Sequence, residues 1–379
     1  MINRDRIVEE FIRLVQIDSP SLHERQIADY LIRELARRGL EVTEDKAGEA
    51  IGNTVAEQTG NLIALLKGNL PHISPVLFCT HMDTVEPGRG VKPVIREDVI
   101  YSDGTTILGG DDKAGIAAIL EVIDVLIENK LPHPDLEFVF TVAEECGLKG
   151  AKNLDHESLK AKMGFVMDCD GSAGTIITRA PSQYRIKASI IGKAAHAGIS
   201  PEEGVNAIYV ASTAISNMKL GRLDAETTAN IGVIAGGKAT NIIPDLVNIE
   251  GETRSIDPDK LEKQTNMMVD ILEQTAREMG AKAVVEKEFL YPRLKLDESA
   301  PVVQVAMEAA RKLGREPVLV STGGGSDANV INGFGIPTAN LGIGMCKVHS
   351  TEEYITVDNL VLNAGYLLEI IKHIAGLQA

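Results

Sequence analysis

Four short apolar runs, Asn61–Lys67, Pro75–Thr80, Leu136–Val142 and Met163–Met167, constrain this chain more than any other feature. Each is of strand length and apolar on both of its faces, so it must be covered on both sides. Between the second and third lies Gly115–Ile127, an apolar stretch of helical length. Strand, helix and strand with both sheet faces covered predict an α/β unit on a buried, partly parallel sheet flanked by helices. Two amphipathic helices precede it. The first, 6–16, carries Ile7, Phe11, Leu14 and Val15 on one side. The second starts at Ser21, which has capping-box spacing to Glu24, and runs through Ile27, Leu31 and Leu35 to a stop at Gly39.

The texture changes near residue 180. Tyr184–Ile191 alternates like a half-buried strand, a helix follows over Val205–Met218, and strands recur at Thr228–Ala235 and Leu246–Arg254. A polar amphipathic helix (Leu261–Met279) and a strand (Ala283–Phe289) complete an α+β segment. After Pro292 the α/β pattern returns, with helices at 302–313, 327–332 and 358–375 and strands at Val318–Val320 and Thr338–Ile343. A chain of 379 residues is too long for one ordinary core. The reading is therefore an α/β domain of 1–179 and 291–379, interrupted by a smaller α+β domain at 180–290, with no internal repeat.

Potential metal ligands close four of the core strands. VLFCTHMDTV holds His81 and Asp83, TVAEECG holds Glu144 and Glu145, GFVMDCDG holds Asp168 and Asp170, and MCKVHST holds His349. A fifth segment, LGGDDKAG, sets Asp111 and Asp112 in a glycine-flanked loop before a helix. In open α/β sheets the functional crevice lies beyond the carboxyl ends of the strands, where these segments would converge. Each has an ordinary reading alone: a hydrogen-bonded histidine, two solvated glutamates, a turn. Glu144 and Glu145 nevertheless follow an uninterrupted apolar strand, where paired carboxylates are costly without a compensating cation or proton. His81 and Asp83 are two residues apart in an extended run, so they face the same way and Asp83 can hold the second ring nitrogen. Imidazole and carboxylate donors suit zinc, manganese or cobalt.

Composition removes other classes. A net charge of −16 disfavours nucleic acid as a partner, because phosphate repels a negative surface. No apolar run reaches the roughly 18 residues of a membrane span, and MINRDRIVEE has no apolar segment of the signal-peptide kind. Four cysteines without CxxC spacing suit a reducing cytoplasm, and their place beside candidate ligands fits a small residue filling tight strand ends. The glycine-rich stretches at 236–237 and 323–325 lack either phosphate-loop spacing.

The ordered set HMDTV, LGGDDKAG, TVAEECG, a strand-closing Asp and a late His resembles the dinuclear zinc exopeptidases of the aminoacylase and glutamate carboxypeptidase family. The likeness is strongest to its peptidase T-like (tripeptide aminopeptidase) branch, through TTILGGDDKAGIA, VMDCDG and GGGSDANVINGFGIPTANLGIG. AAHAGISPEEGVNAI and ATNIIPD resemble motifs of that family's lid domain. The resemblance implies two divalent ions per chain, zinc with cobalt or manganese as alternatives, bridged by Asp111. His81 and Asp168 would complete one ion's protein ligands, and Glu145 and His349 the other's, with Asp170 held in reserve for Asp168. It further implies Glu144 as general base and Asp83 as the residue orienting His81. His196, Asn241 and Arg254 would contact a short peptide substrate, and the insert would serve as lid and homodimer interface. Cleavage of acyl groups from amino acids, dipeptidase activity and a non-catalytic binding role on the same fold stand as alternatives.

Overall fold

The structure, a computed structural model, describes residues 1–52 and 59–377. It divides into two compact units, one of Met1–Thr178, Leu296–Ser321 and Ser326–Ala379, the other of Arg179–Lys295 and Thr322–Gly325. Thr322–Gly325, which the sequence reading assigns to the α/β part, joins the insert for a local reason. Arg254 donates to the Gly323 carbonyl at 3.2 Å and the Thr322 amide donates to the Arg179 carbonyl at 2.9 Å.

The first unit is built on a mixed, largely parallel sheet. Its strands lie side by side in the order Glu41–Glu44, Leu62–Leu66, Leu136–Thr141, Val76–His81, Met163–Cys169, Thr338–Gly342 and Thr175–Ala180. The middle four are mutually parallel, and the outer pairings are antiparallel. Every residue of Val76–His81 and Leu136–Thr141 is buried, including Glu137, whose carboxylate accepts the Lys160 and Ala161 amides. Register places Phe78 beside Phe138 and Phe165, whose rings stack on it at 5.8 and 5.6 Å. Helices Arg4–Val15, Gly110–Glu128, Pro301–Lys312 and Val357–Ile374 share one apolar core with this sheet. A small second sheet (Val94–Arg96, Val99–Tyr101, Tyr354–Thr356, Met345–Cys346) was not legible, since its strands span only two or three residues each.

The expected capping box does not form. The second helix starts at Arg25 and has no side-chain cap. Ser21 instead donates to the Asp83 carboxylate at 2.6 Å, and Glu24 Oε1 accepts from the Leu22 and Ala143 amides, both at 2.9 Å. Partners distant in sequence have displaced the local ones.

The second unit is a five-stranded antiparallel sheet, ordered Gly221–Arg222, Thr227–Gly236, Leu246–Ser255, Ser182–Ile191 and Lys282–Tyr291. Helices Ala207–Ser216 and Pro258–Glu278 bury their apolar sides with Ile186, Ile190, Val247 and Ile249 in a core of its own. Among the described residues no helix is long and apolar enough to cross a membrane.

Candidate metal centre

His81 is the last residue of a fully buried strand, which fixes its ring at the sheet's carboxyl edge. Its Nε2 lies 3.0 Å from Asp111 Oδ1. Its Nδ1 lies 2.9 Å from the Asp83 backbone carbonyl and 3.5 Å from the Asp83 carboxylate. Asp83 therefore does hold the second ring nitrogen, but chiefly through its main chain. The carboxylate is engaged elsewhere. Oδ1 accepts the Glu144 amide at 2.9 Å, and Oδ2 accepts the Glu145 amide at 3.2 Å together with the Ser21 hydroxyl. One buried acid thus fixes the turn that presents both glutamates.

Asp111 precedes the regular part of its helix, with φ −82° and ψ 102°. Its second oxygen, Oδ2, lies 3.1 Å from His349 Nε2, and the same nitrogen is 2.9 Å from Glu145 Oε1. Asp111 so presents one oxygen to each of two imidazoles. Donor atoms of His81, Asp111 and Glu145 all lie within 4.8 Å of one another, a group able to hold a metal ion. Asp168 is anchored through its backbone, its amide donating to Asn340 Oδ1 at 3.1 Å and its carbonyl accepting from Asn340 Nδ2 at 2.6 Å. It is half-buried, whereas Asp170 is exposed.

The electrostatics describe a crowded anionic recess. Burial and then Asp168 push the Glu144 carboxyl well above the usual range, and burial and then Asp111 do the same to Asp168. Burial works against ionised Asp111, yet His349 and His81 hold it below its ordinary value. Asp111 and Glu145 raise His349 to about 10. A field that favours a proton on that nitrogen favours a cation in the same place, and buried carboxylates of this density require positive charge. The donor set of imidazole and carboxylate fits a divalent ion such as zinc.

The cysteines do not fit a thiolate site. All four are free, and burial raises the thiols of Cys79 and Cys146, and that of Cys169 to about 12.

His196, Asn241 and Arg254 belong to the second unit. His196 is exposed and forms an isolated bridge with Ile242, while the Ala197 amide donates to the Asn241 carbonyl at 3.0 Å. Arg254 is paired side-on with Glu252 at 2.9 and 3.0 Å, and Gln183 donates to the same carboxylate at 2.6 Å. Sequence reasoning missed the residues that hold the ligand loops: Ser21, Glu24, Asn340 and Glu353. Their signals were weak. Ser21 and Glu24 were noticed only for a local spacing, and Glu353 stands four places after His349 in a run read only for its histidine.

Sheet architecture and donor cluster together define an α/β protein with a candidate metal centre at the carboxyl edge of its sheet. Residues 77–373 match the model of Peptidase family M20/M25/M40, and the chain belongs to that family. It is similar to a solved aminopeptidase PepT from Bacillus cereus, at 48% identity over 99% of each chain with a TM-score of 0.91. A solved tripeptidase from Staphylococcus aureus is 45% identical over 99% of this chain and 100% of that one, with a TM-score of 0.94. The uncharacterized protein YqjE of Bacillus subtilis is 47% identical over 99% of this chain and the whole of that one.

Proposed function

We propose that this enzyme is a metal-dependent aminopeptidase of short peptides, with tripeptides as its main substrates, working in the cytoplasm. The observation that carries the reading is Asp111, whose two oxygens face His81 and His349 at 3.0 and 3.1 Å, an arrangement suited to a carboxylate shared by two ions. Similarity to an aminopeptidase and a tripeptidase supports the substrate class. His81 and Asp168 would hold one ion and Glu145 and His349 the other, with Asp111 common to both. Two divalent ions, zinc in the first place, would polarise the scissile carbonyl and lower the pKa of bound water toward neutrality.

The protein's own groups do the rest. Glu144, next to Glu145 in the chain and outside the proposed ligand set, would take a proton from water and deliver it to the leaving amine. Asp83 keeps the turn of Glu144 and Glu145 in place through their amides and steadies His81. In the insert, His196 would stabilise the developing oxyanion. Arg254, with Nε and Nη2 on Glu252 and Nη1 on the Gly323 carbonyl, would turn its remaining N–H groups to a peptide carboxylate, and Asn241 would add a polar contact. The insert also supplies a homodimer surface. Its Thr227–Gly236 strand is paired on one side only beyond Ala229, and Ile208, Tyr209, Val233 and Ile234 are exposed.

Side-by-side assays of tripeptides, dipeptides and N-acetyl amino acids with zinc, cobalt or manganese test the reading. Hydrolysis of tripeptides is expected to dominate, and activity on acylated amino acids alone would sink it. Glu144→Gln is expected to lower kcat by at least about a hundredfold while retaining metal, and Asp111→Ala to lose both ions by metal analysis.

A further inference from the structure

The loop that presents Asp111 is not held by its own residues. Helix Gly110–Glu128 has Gly109 at its cap position, with φ +75° and no side chain to satisfy the first amides. Glu353, from the other end of the chain, satisfies one of them together with the two amides just before the helix. Its Oε2 accepts the Leu108 and Gly109 amides, both at 2.8 Å, and its Oε1 accepts the Asp111 amide at 3.1 Å. The side chain is 1% exposed, so these are charge-assisted bonds shielded from water. The fit is close: a Cβ on Gly110 would lie 3.1 Å from Glu353 Oε1. Glu353 also follows His349 by four residues, so one short segment delivers both a ring facing Asp111 Oδ2 and the carboxylate gripping the Asp111 backbone.

We propose that Glu353 is a positioning residue for the bridging carboxylate. It sets the Leu108–Asp111 backbone so that Asp111 Oδ1 faces His81 and Oδ2 faces His349. This rests on the two-ion reading above. An ordinary helix cap would contribute to stability alone, whereas a positioning residue also controls how tightly the metals bind.

Glu353→Gln separates the two. The variant keeps the shape, but an NH2 group replaces one acceptor and confronts N–H donors. Zinc affinity would be measured by chelator competition, thermal midpoint in excess chelator, and steady-state kinetics at saturating zinc. The expected result is zinc binding at least about tenfold weaker, with KM within about twofold of wild type and kcat recovering as zinc is raised. Unchanged zinc affinity, with or without a lower midpoint, overturns the role and leaves Glu353 a helix cap. Should that variant not fold, Gly110→Ala perturbs the same contact more gently and is held to the same tenfold criterion. A wild-type chain that takes up no zinc, cobalt or manganese overturns the metal reading and this one with it. Wild-type uptake beside unchanged variant affinity overturns Glu353 alone.

Discussion

Adjacent Glu144 and Glu145 are separated in role by what holds their backbone. Both amides bind the Asp83 carboxylate, and Asp83 is in turn held by the Ser21 hydroxyl. Removing a hydrogen bond to a buried carboxylate costs about 1.5–3 kcal/mol. Ser21→Ala is therefore expected to lower kcat by about tenfold with little change in KM, and Ser21→Thr to restore most of it; a purely thermal effect would contradict this. Glu24 carries a pH consequence. Burial, with a smaller contribution from Asp83, raises its carboxyl from the ordinary 4.5 to about 7. Between those values the folded chain binds the proton more tightly than the unfolded chain, so stability falls as pH rises through that window. The shift corresponds to about 3 kcal/mol. Glu24→Gln keeps one oxygen to accept both amides and has no charge to bury. It is expected to be more stable than wild type at pH 8 by about 2–3 kcal/mol and equal to it near pH 4.5, as read by denaturant unfolding at both. A pH-independent difference would refute this account of Glu24.

At the scale of elements, the buried strands were legible because their short runs are mostly apolar on both faces, and the helix over Gly115–Ile127 because no strand is that long. What permits that helix to lie on the sheet was not legible. A Cβ on Gly115 would stand 2.7 Å from Thr80 Cγ2 and 3.0 Å from the Met167 carbonyl, on two neighbouring strands. Gly115→Ala is expected to destabilise by about 1–3 kcal/mol through overpacking, seen as a lower thermal midpoint; an unchanged midpoint would mean the helix can shift freely. The second helix teaches the converse. Ser21 and Glu24 have the spacing of a local cap, yet without them the buried Asp83 carboxylate would lose one of its three donors and the Ala143 amide its acceptor. An unpaired buried group costs more than a frayed helix end in contact with water.

At the scale of the molecule, the insert has the properties of an independent unit. It has its own core, and its two connecting passages pair with each other, Leu294 beside Ala180 and Lys295 beside Arg179. Residues 179–295 expressed alone are expected to unfold cooperatively in denaturant; a broad, non-cooperative loss of signal would contradict this. The proposed homodimer is expected to fall to a monomer in sedimentation on Val233→Lys together with Ile234→Asp in the full chain; a wild-type monomer would refute the dimer, and a dimer that persists in the variant would move the interface elsewhere. The sequence by itself determined which runs are buried, hence the α/β sheet and its interruption, and it placed His81, Asp111, Glu145 and His349, whose side chains the fold brings together, at strand or loop ends. Those properties follow from hydrophobic periodicity, which is local. Tertiary structure alone decided that Asp168 rather than Asp170 is the half-buried acid, that Asp83 grips two amides, and that Glu353 grips the loop of Asp111. A buried charge must find its partners wherever the fold brings them, and here they lie 61 to 245 residues away along the chain.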